Sequence, residues 1–404
     1  MSEKVIVFDT TLRDGEQAAG VCFSRRDKLE IAEHLAAMRV DVIEAGFPAA
    51  SPGELDAVAA VARQVSGASV CALARAVAGD VDAAGHALRG ARRPRIHVFV
   101  NSSEIHLAQQ LRKTRADVLQ MARAAVTRAR RYTDDIEFSP MDATRSDPDF
   151  LAEIVQVALE AGATTINVPD TVGFILPDRL AALVCGLRER APQLAEAVLS
   201  FHGQDDLGLA TANCLAAVSA GVRQVELAVN GIGERAGNAA FEEVVMALVV
   251  HGEALGVHTD VDTSGICELS RLVAERSGIA VPPNKPIVGR NAFRHASGIH
   301  QDGVIKCRET YEVLDPQSIG HPTGSQIVLG KLSGRAGFAA RVRALRIDLP
   351  GDAFSRAFER FQRFADERRE VRDEDLRRLC AELESRVPEQ AKRAARRSRA
   401  KSTN

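Results

Sequence analysis

Short apolar runs and amphipathic stretches alternate along the chain from Val5 to His251. The runs Val5–Phe8, Val42–Ala45, Ser69–Leu73, Ile96–Val100, Ile136–Ser139, Thr165–Val168, Val198–Phe201 and Gln224–Val229 are too short for helices and read as strands. Between them, Arg25–Met38, Glu54–Val65, Arg115–Arg130, Asp149–Ala161, Pro177–Arg190 and Leu209–Ala220 carry apolar residues at helical spacing, and Asn238–His251 completes the eighth pair. Eight β–α repeats over about 250 residues are what a closed (β/α)8 barrel needs, whereas a doubly wound sheet usually stops earlier. Strands that are apolar throughout, with helices on either side in sequence, favour a parallel sheet covered on its outside. The predicted fold is an α/β (β/α)8 barrel.

The pattern changes after Asp262. Asp262–Ser277 reads as one more helix, but Val281-Pro282-Pro283-Asn284-Lys285-Pro286 has no helical interior and marks a domain edge. We therefore divide the chain into a barrel at 1–275, an irregular linker subdomain at 276–345, a helical subdomain at 346–390 and a basic tail at 391–404. The amphipathic stretch in the helical part runs from Phe354 to Val387. Lys392, Arg393, Arg396, Arg397, Arg399 and Lys401 have no aromatic residue among them, so the tail reads as a solvated, disordered terminus rather than a nucleic-acid arm.

Composition narrows the setting. A hydrophobic content of 46% with 26% charged residues fits a soluble globular protein, and a net charge of −2 argues against a generic polyanion binder. No apolar run approaches a membrane span, and Met1-Ser2-Glu3-Lys4 leads into a strand rather than a signal peptide. The seven cysteines are scattered and form no C-x-x-C pair, a pattern of a reducing compartment, which points to the cytoplasm.

Candidate chemistry gathers at the predicted strand ends, where a barrel keeps its site. The first strand ends in Asp9-Thr10-Thr11-Leu12-Arg13-Asp14-Gly15-Glu16-Gln17, which reads either as a site or as an Asp-capped turn with Arg13 paired to Glu16 at the surface. The second strand ends at Glu44, the fourth carries His97 and Asn101, and the fifth ends in Ser139-Pro140-Met141-Asp142. The sixth ends in Asn167-Val168-Pro169-Asp170-Thr171, the seventh in His202-Gly203-Gln204, and Asn238 follows the eighth. His202 and Gln204, two apart, share a strand face. With Asp14 and Asn238 they can supply one imidazole and several oxygens, a set suited to Mg2+ or Mn2+ and compatible with Zn2+. For His-x-Gln alone, a hydrogen-bonded strand-end histidine is the simpler account.

Longer stretches carry a resemblance. The segments DTTLRDGEQ (9–17), IEAGFPAASPGE (43–54), EFSPMDATRSD (137–147), INVPDTVG (166–173), DDLGLATAN (205–213) and NGIGERAGNAAFEEVVMAL (230–248) occur in order. NKPIVGRNAF (284–293), SGIHQDGVIKCRETYE (297–312) and LGKLSGRAGF (329–338) follow. The chain resembles the 2-isopropylmalate synthase branch of the metal-dependent acyl-CoA condensing barrels, which also include homocitrate and citramalate synthases. The resemblance implies condensation of acetyl-CoA with a 2-oxo acid and hydrolysis of the thioester, with 2-oxoisovalerate as substrate and leucine biosynthesis as the setting. It gives Asp14, His202 and Asn238 the role of metal ligands, with Gln204 beside them, and gives Arg13 the developing alkoxide. Glu44 would orient Arg13, Thr171 would hold the substrate carboxylate, and Leu73, His97, Val98, Ser139, Met141, Asn167 and Pro169 would line the substrate pocket. His300 would transfer protons with Asp302 and Tyr311 as neighbours, in a homodimer with exchanged C-terminal regions.

Three departures qualify this resemblance. Gln204 replaces the second histidine of the usual His-x-His pair. Met141 stands where the family usually has glutamate, and Val98 where many members have threonine; both changes point to a larger or more hydrophobic 2-oxo acid side chain. The chain also ends soon after the helical module, so the leucine-binding domain of on the order of a hundred residues is expected to be absent, and with it leucine feedback. The alternatives are a chain-elongating relative acting on a bulkier, even aromatic, 2-oxo acid, a homocitrate synthase, a lyase like those cleaving hydroxymethylglutaryl-CoA, and a binding protein that has lost catalysis.

Overall fold

The computed structural model describes residues 2–349, 352–368 and 370–384. They pack into two compact units, divided between Gly289 and Arg290. In the first unit, eight parallel strands close into a barrel in sequence order. They are β1 (Ile6–Asp9), β2 (Val42–Glu44), β3 (Ser69–Arg75), β4 (Pro94–Asn101), β5 (Ile136–Met141), β6 (Thr165–Asp170), β7 (Val198–Gly203) and β8 (Gln224–Leu227). Closure comes from β1 pairing with both neighbours: Phe8 sits opposite Val42 on one side and Glu226 on the other.

A helix follows each strand: α1 (Arg25–Ala37), α2 (Pro52–Gln64), α3 (Ala78–Ala87), α4 (Arg115–Ala129), α5 (Pro148–Ala161), α6 (Pro177–Arg190), α7 (Ala210–Ser219) and α8 (Phe241–Leu255). A ninth, α9 (Ile266–Ser277), ends this series. Their starts are chemically marked. Ser24 with Asp27, and Thr114 with Asp117, form reciprocal capping boxes, while Ser51-Pro52 and Asp147-Pro148 pair a capping oxygen with a proline that needs no N–H partner. Hydrophobic periodicity did not reveal α3, which is mostly Ala and Gly. A Cβ on Gly85 would stand 2.3 Å from the Tyr132 ring, so the small residue lets that ring pack against the helix.

Pleat alternation decides what fills the barrel. Outward-facing Val7, Ile43, Ala72, Ile96, Phe138, Ile166, Phe201 and Val225 are buried beneath the helices. Inside, Phe8, Val42 and Cys71, with Ile6 packed against them, form a small apolar cluster. Across from this cluster, below the mouth, the interior is polar where branched aliphatics are usual. Arg95 donates to Glu137 (3.2 Å) and Gln224 (2.7 Å), and Gln224 donates to Glu137 (2.7 Å) and Ser200 (3.0 Å). Burying such groups is tolerable because they satisfy one another.

The second unit contains α10 (Gly298–Lys306), α11 (Arg335–Ala344), α12 (Asp352–Ala365) and α13 (Asp373–Glu384). Phe338, Val342, Phe358, Phe361, Leu376 and Cys380 belong to its core. The stretch read as one amphipathic module is two helices here, with Val371 between them donating its N–H to the Leu329 carbonyl (2.8 Å). Residues 385–404, including the basic run from Lys392 to Lys401, lie outside the described residues. No helix among the described residues is long and apolar enough to cross a membrane.

Candidate active site

The loop after β1 is shaped by its own side chains. Asp9 accepts from the Thr11 backbone N–H (3.0 Å) and hydroxyl (2.9 Å), and Thr10 donates its hydroxyl to Glu44 (2.7 Å). Burial pushes the Asp9 carboxyl up to about 7 against the two bonds from Thr11. This turn aims Arg13 and Asp14 into the barrel mouth. The surface pairing of Arg13 with Glu16 does not form: Arg13 Nε reaches Glu44 at 2.6 Å and Nη1 reaches Asp14 at 2.7 Å, while Glu16 takes Lys28.

Glu44 anchors a chain of hydrogen bonds around the mouth. Its second oxygen meets His97 Nδ1 at 2.8 Å, His97 Nε2 meets Ser139 Oγ at 2.7 Å, and Asn167 donates its amide to the same oxygen at 2.9 Å. Burial pushes the His97 ring toward neutrality, but the Glu44 carboxylate outweighs it and raises the ring to about 9. Burial likewise opposes ionisation of Glu44, and Arg13 and His97 overcome it, holding the carboxyl down at about 2. Arg13 is cationic, Glu44 anionic and His97 cationic at neutral pH.

A second cluster joins this one at Asp14. Burial disfavours the Asp14 carboxylate, yet Arg13 and His202 keep its pKa below the usual range. His202 Nδ1 lies 2.8 Å from the Glu226 carboxylate, which leaves Nε2 directed toward Asp14 Oδ2, 3.8 Å away. Asn238 donates to Asp14 (3.1 Å) and to the Ile232 carbonyl (3.0 Å). Which way the Gln204 amide faces is decided by the donors and acceptors around it. With nitrogen inward it lies 3.0 Å from Asn238 Oδ1, 3.1 Å from His202 Nε2 and 3.3 Å from Asp14 Oδ2. Turned over, its nitrogen donates to the carbonyls of Gly237 (2.9 Å) and Glu234 (3.3 Å), and its oxygen faces His202 and Asn238. When His202 is neutral, with its proton on Nδ1 toward Glu226, four electron-pair donors then face one another. A cation is what such a set lacks, and one imidazole with three oxygens fits a hard-to-borderline divalent ion.

Two other groups bring possible ligand atoms together inside the barrel: Glu44, Cys71 and His97, and His97, Glu137 and Glu226. Their charges are already matched internally, Glu44 by Arg13 and His97, and Glu137 by Arg95. Burial and the neighbouring Glu226 push the Glu137 carboxyl up, against the pull of His97 and Arg95. We read both groups as parts of the ion network.

The loop after β8 delivers Asn238. Asn230 adopts a left-handed conformation (φ 61°), held by its amide donating to the Ser270 carbonyl (2.9 Å). Gly233 follows at φ 157°, and a Cβ there would fall 2.2 Å from Asn238 Nδ2 and 3.0 Å from Asp14 Oδ1. The chain then returns so that Asp205 N–H donates to the Gly237 carbonyl (2.8 Å), which sets Asn238 beside Gln204.

A cavity of about 240 Å³ opens over both clusters. Among the residues singled out from sequence, Arg13, Asp14, Leu73, His97, Ser139, Met141, Asn167, Pro169, Thr171, His202 and Gln204 line it. Glu44 and Asn238 lie behind this lining, against Arg13 and Asp14. Thr171 Oγ1 accepts the Asp142 N–H at 2.9 Å. Val98 is not brought to the cavity. It sits between His97 and Phe99 on β4, so the pleat turns it outward, fully buried under the helices, and Phe99 supplies the apolar wall instead. Gln17, Glu234 and Arg235, which lie in marked stretches but were given no role, and Glu226, which went unmarked, also line the cavity. Phe99 and Glu226 were within reach of a count by two from His97 and Gln224. His300, Asp302 and Tyr311 belong to the second unit, where the His300 ring lies 4.3 Å from that of Tyr311 and Asp302 pairs with Lys306 at 2.6 Å.

Known proteins share this arrangement of sequence. Residues 4–273 match the family described as HMGL-like, and residues 287–369 match the homocitrate synthase post-HMGL domain-like family. A 2-isopropylmalate synthase from Nitrosococcus oceani is 52% identical over 383 residues, covering 95% of this chain and 75% of that protein. One from Methylococcus capsulatus is 50% identical over 383 residues, covering 95% and 74%. The solved hydroxymethylglutaryl-CoA lyase of Pseudomonas aeruginosa superimposes with a TM-score of 0.59 at 23% identity, over 70% of this chain and 95% of that one, a likeness of fold alone. Identity of that extent, running through barrel and second unit alike, places the chain in the 2-isopropylmalate synthase family, to which it belongs.

Proposed function

We propose that this protein condenses acetyl-CoA with a 2-oxo acid and releases CoA by hydrolysis of the thioester, with 2-oxoisovalerate as substrate and 2-isopropylmalate as product. The observation that carries this reading is the convergence of Asp14, His202, Gln204 and Asn238 beside Arg13 at the mouth of the barrel. A divalent ion, Mn2+ or Mg2+ by the donor set, with Zn2+ also compatible, would polarise the keto group of the 2-oxo acid as a Lewis acid when bound there. Arg13, fixed by Glu44, faces the cavity with the positive charge that the alkoxide formed on condensation requires. Thr171 offers a hydroxyl at the cavity edge for the substrate carboxylate. His97, charged and locked between Glu44 and Ser139, orients rather than titrates. Glu44 has no proton to exchange, and proton transfer at the acetyl group falls in this reading to His300, since an imidazole can both accept and donate a proton.

His300 lies on α10 next to Ile299, which is 78% exposed, and Val313 and Leu332 of the same unit are 86% and 74% exposed. Phe174, Leu176 and Leu207, on the loops after β6 and β7, are exposed as well. Apolar surface of this kind supports a homodimer with exchanged C-terminal regions. A strictly monomeric species with full activity would count against it. Seven cysteines without a disulfide support a cytoplasmic location.

The test is release of free thiol from acetyl-CoA over a panel of 2-oxo acids, with Mn2+ or Mg2+ supplied. The reading expects 2-oxoisovalerate to give the highest kcat/KM, and fails if it is among the poorest. A second reading, a bulkier or aromatic 2-oxo acid, draws on the apolar wall of Leu73, Phe99 and Met141, and the same panel decides between the two. Cleavage of a hydroxyacyl-CoA without acetyl-CoA would point to a lyase instead.

A further inference from the structure

Lys28 lies in the first turn of α1, after Arg25, Arg26 and Asp27, a run that looks like solvated surface. Arg25 and Arg26 are exposed, but the Lys28 side chain is 0% exposed. Its ammonium lies 2.7 Å from Glu16 and 2.7 and 2.8 Å from the two oxygens of Glu54. It also donates to the backbone carbonyls of Leu12 (3.0 Å) and Ala45 (3.3 Å). Leu12 immediately precedes Arg13, and Ala45 immediately follows Glu44. The buried charge therefore holds the backbone on both sides of the Arg13–Glu44 ion pair.

Its counter-charges extend the hold. Glu16 also accepts the Phe23 N–H at 2.8 Å, and Glu54 accepts the Phe47 N–H at 2.9 Å. Gly46 makes room for this: at φ 152°, a Cβ there would stand 1.9 Å from Glu54 Oε1 and 3.0 Å from Lys28 Nζ. A buried lysine with two carboxylates is no bargain for stability alone, since apolar residues of similar volume often do as well. What an apolar group lacks is a donor for the two carbonyls.

We propose that Lys28 is a positioning residue, whose ammonium sets the placement of Arg13 against Glu44 by holding the Leu12 and Ala45 carbonyls. The proposal rests on the reading of Arg13 as the group that meets the developing alkoxide. Loss of the hold shifts the guanidinium by a fraction of an ångström, and misplacement by about 1 Å can cost on the order of 100-fold in rate.

The experiment compares wild type with Lys28→Met, the charge-balanced pair Lys28→Met with Glu54→Gln, and Lys28→Arg, which keeps the charge but not the geometry. Leu35→Ala, a cavity elsewhere on α1, serves as a control of lowered stability. Thiol release gives kcat and the KM for acetyl-CoA, and thermal unfolding gives Tm. We expect kcat to fall about 30- to 100-fold in either methionine variant and about 10-fold in Lys28→Arg, with the acetyl-CoA KM changed by less than about 3-fold. Leu35→Ala should lower Tm and leave kcat near wild type. A folded Lys28 variant, the arginine form included, with kcat within about 2-fold of wild type overturns the proposal, as does an equal fall in Leu35→Ala. No turnover by the wild type with any 2-oxo acid would instead sink the functional reading, so the two failures are distinct.

Discussion

His97 Nδ1 and Glu44 Oε1 meet at 2.8 Å inside the barrel, and the same carboxylate holds Arg13 through its other oxygen at 2.6 Å. The imidazolium is therefore part of what keeps Glu44 ionised and Arg13 aimed. With the ring raised to about 9 from an ordinary 6.5, the pair contributes stability that is fully present below about pH 6.5 and is lost as pH rises through about 9. The contribution is roughly 3 kcal/mol at one unit per 1.36 kcal/mol. Urea unfolding of wild type and His97→Gln from pH 6 to 10 should show a gap of that order at the acid end, closing toward pH 10. A gap independent of pH would mean that the ring is neutral in the folded protein.

Glu226 holds His202 through Nδ1, leaving Nε2 on the side of Asp14. Carboxylates in this position typically change metal affinity by about 10- to 100-fold when neutralised. Calorimetric titration with Mn2+ should show a loss in that range for Glu226→Gln, and no measurable binding for His202→Ala. Gln204→His should move preference toward Zn2+ and away from Mg2+, because imidazole suits the softer ion. Unchanged Mn2+ binding in His202→Ala would place the ion elsewhere.

Met141 faces the cavity from the end of β5, on the same wall as Phe99 and Leu73. Truncating it to alanine adds room where we place the substrate side chain. A pocket tuned by one or two methylenes discriminates by about 10- to 200-fold. In thiol-release assays, Met141→Ala should raise kcat/KM for longer or aromatic 2-oxo acids relative to 2-oxoisovalerate by about 10-fold or more. Met141→Glu puts back the residue that the family usually carries and should lower kcat/KM for the longer and aromatic 2-oxo acids relative to 2-oxoisovalerate. Identical profiles for the three proteins would remove Met141 from the specificity wall.

How much of this was legible beforehand depended on scale. The eight strands announced themselves because each is a short apolar run bounded by polar ends, and the resemblance supplied the proposed ligand residues, which lie as far apart in sequence as Asp14 and Asn238. Periodicity failed at α3, where alanine and glycine carry no apolar stripe. The resemblance, not periodicity, put Val98 in the pocket, where a count by two from His97 leads to Phe99 instead. Lys28 was invisible for a different reason. Nothing in Arg25-Arg26-Asp27-Lys28 distinguishes the buried charge from its neighbours until Glu16, from the loop after β1, and Glu54, from the first turn of α2, are brought to it.

Gly233 carries a steric demand that falls directly on the proposed ligand atoms. Its backbone lies at φ 157°, and a methyl group there would press on Asn238 Nδ2 and Asp14 Oδ1, the atoms that join the loop after β8 to the loop after β1. Asn238 is free to yield only by giving up its bonds to Asp14 (3.1 Å) and the Ile232 carbonyl (3.0 Å). Gly233→Ala should therefore act on the site before it acts on the fold. Strain of this kind costs about 1–3 kcal/mol, taken up by a loop at the barrel mouth rather than by the strands beneath it. Mn2+ affinity should fall by about 10-fold or more while the urea midpoint moves little. If Gly233→Ala instead binds Mn2+ as wild type does, Asn238 does not help to hold the ion.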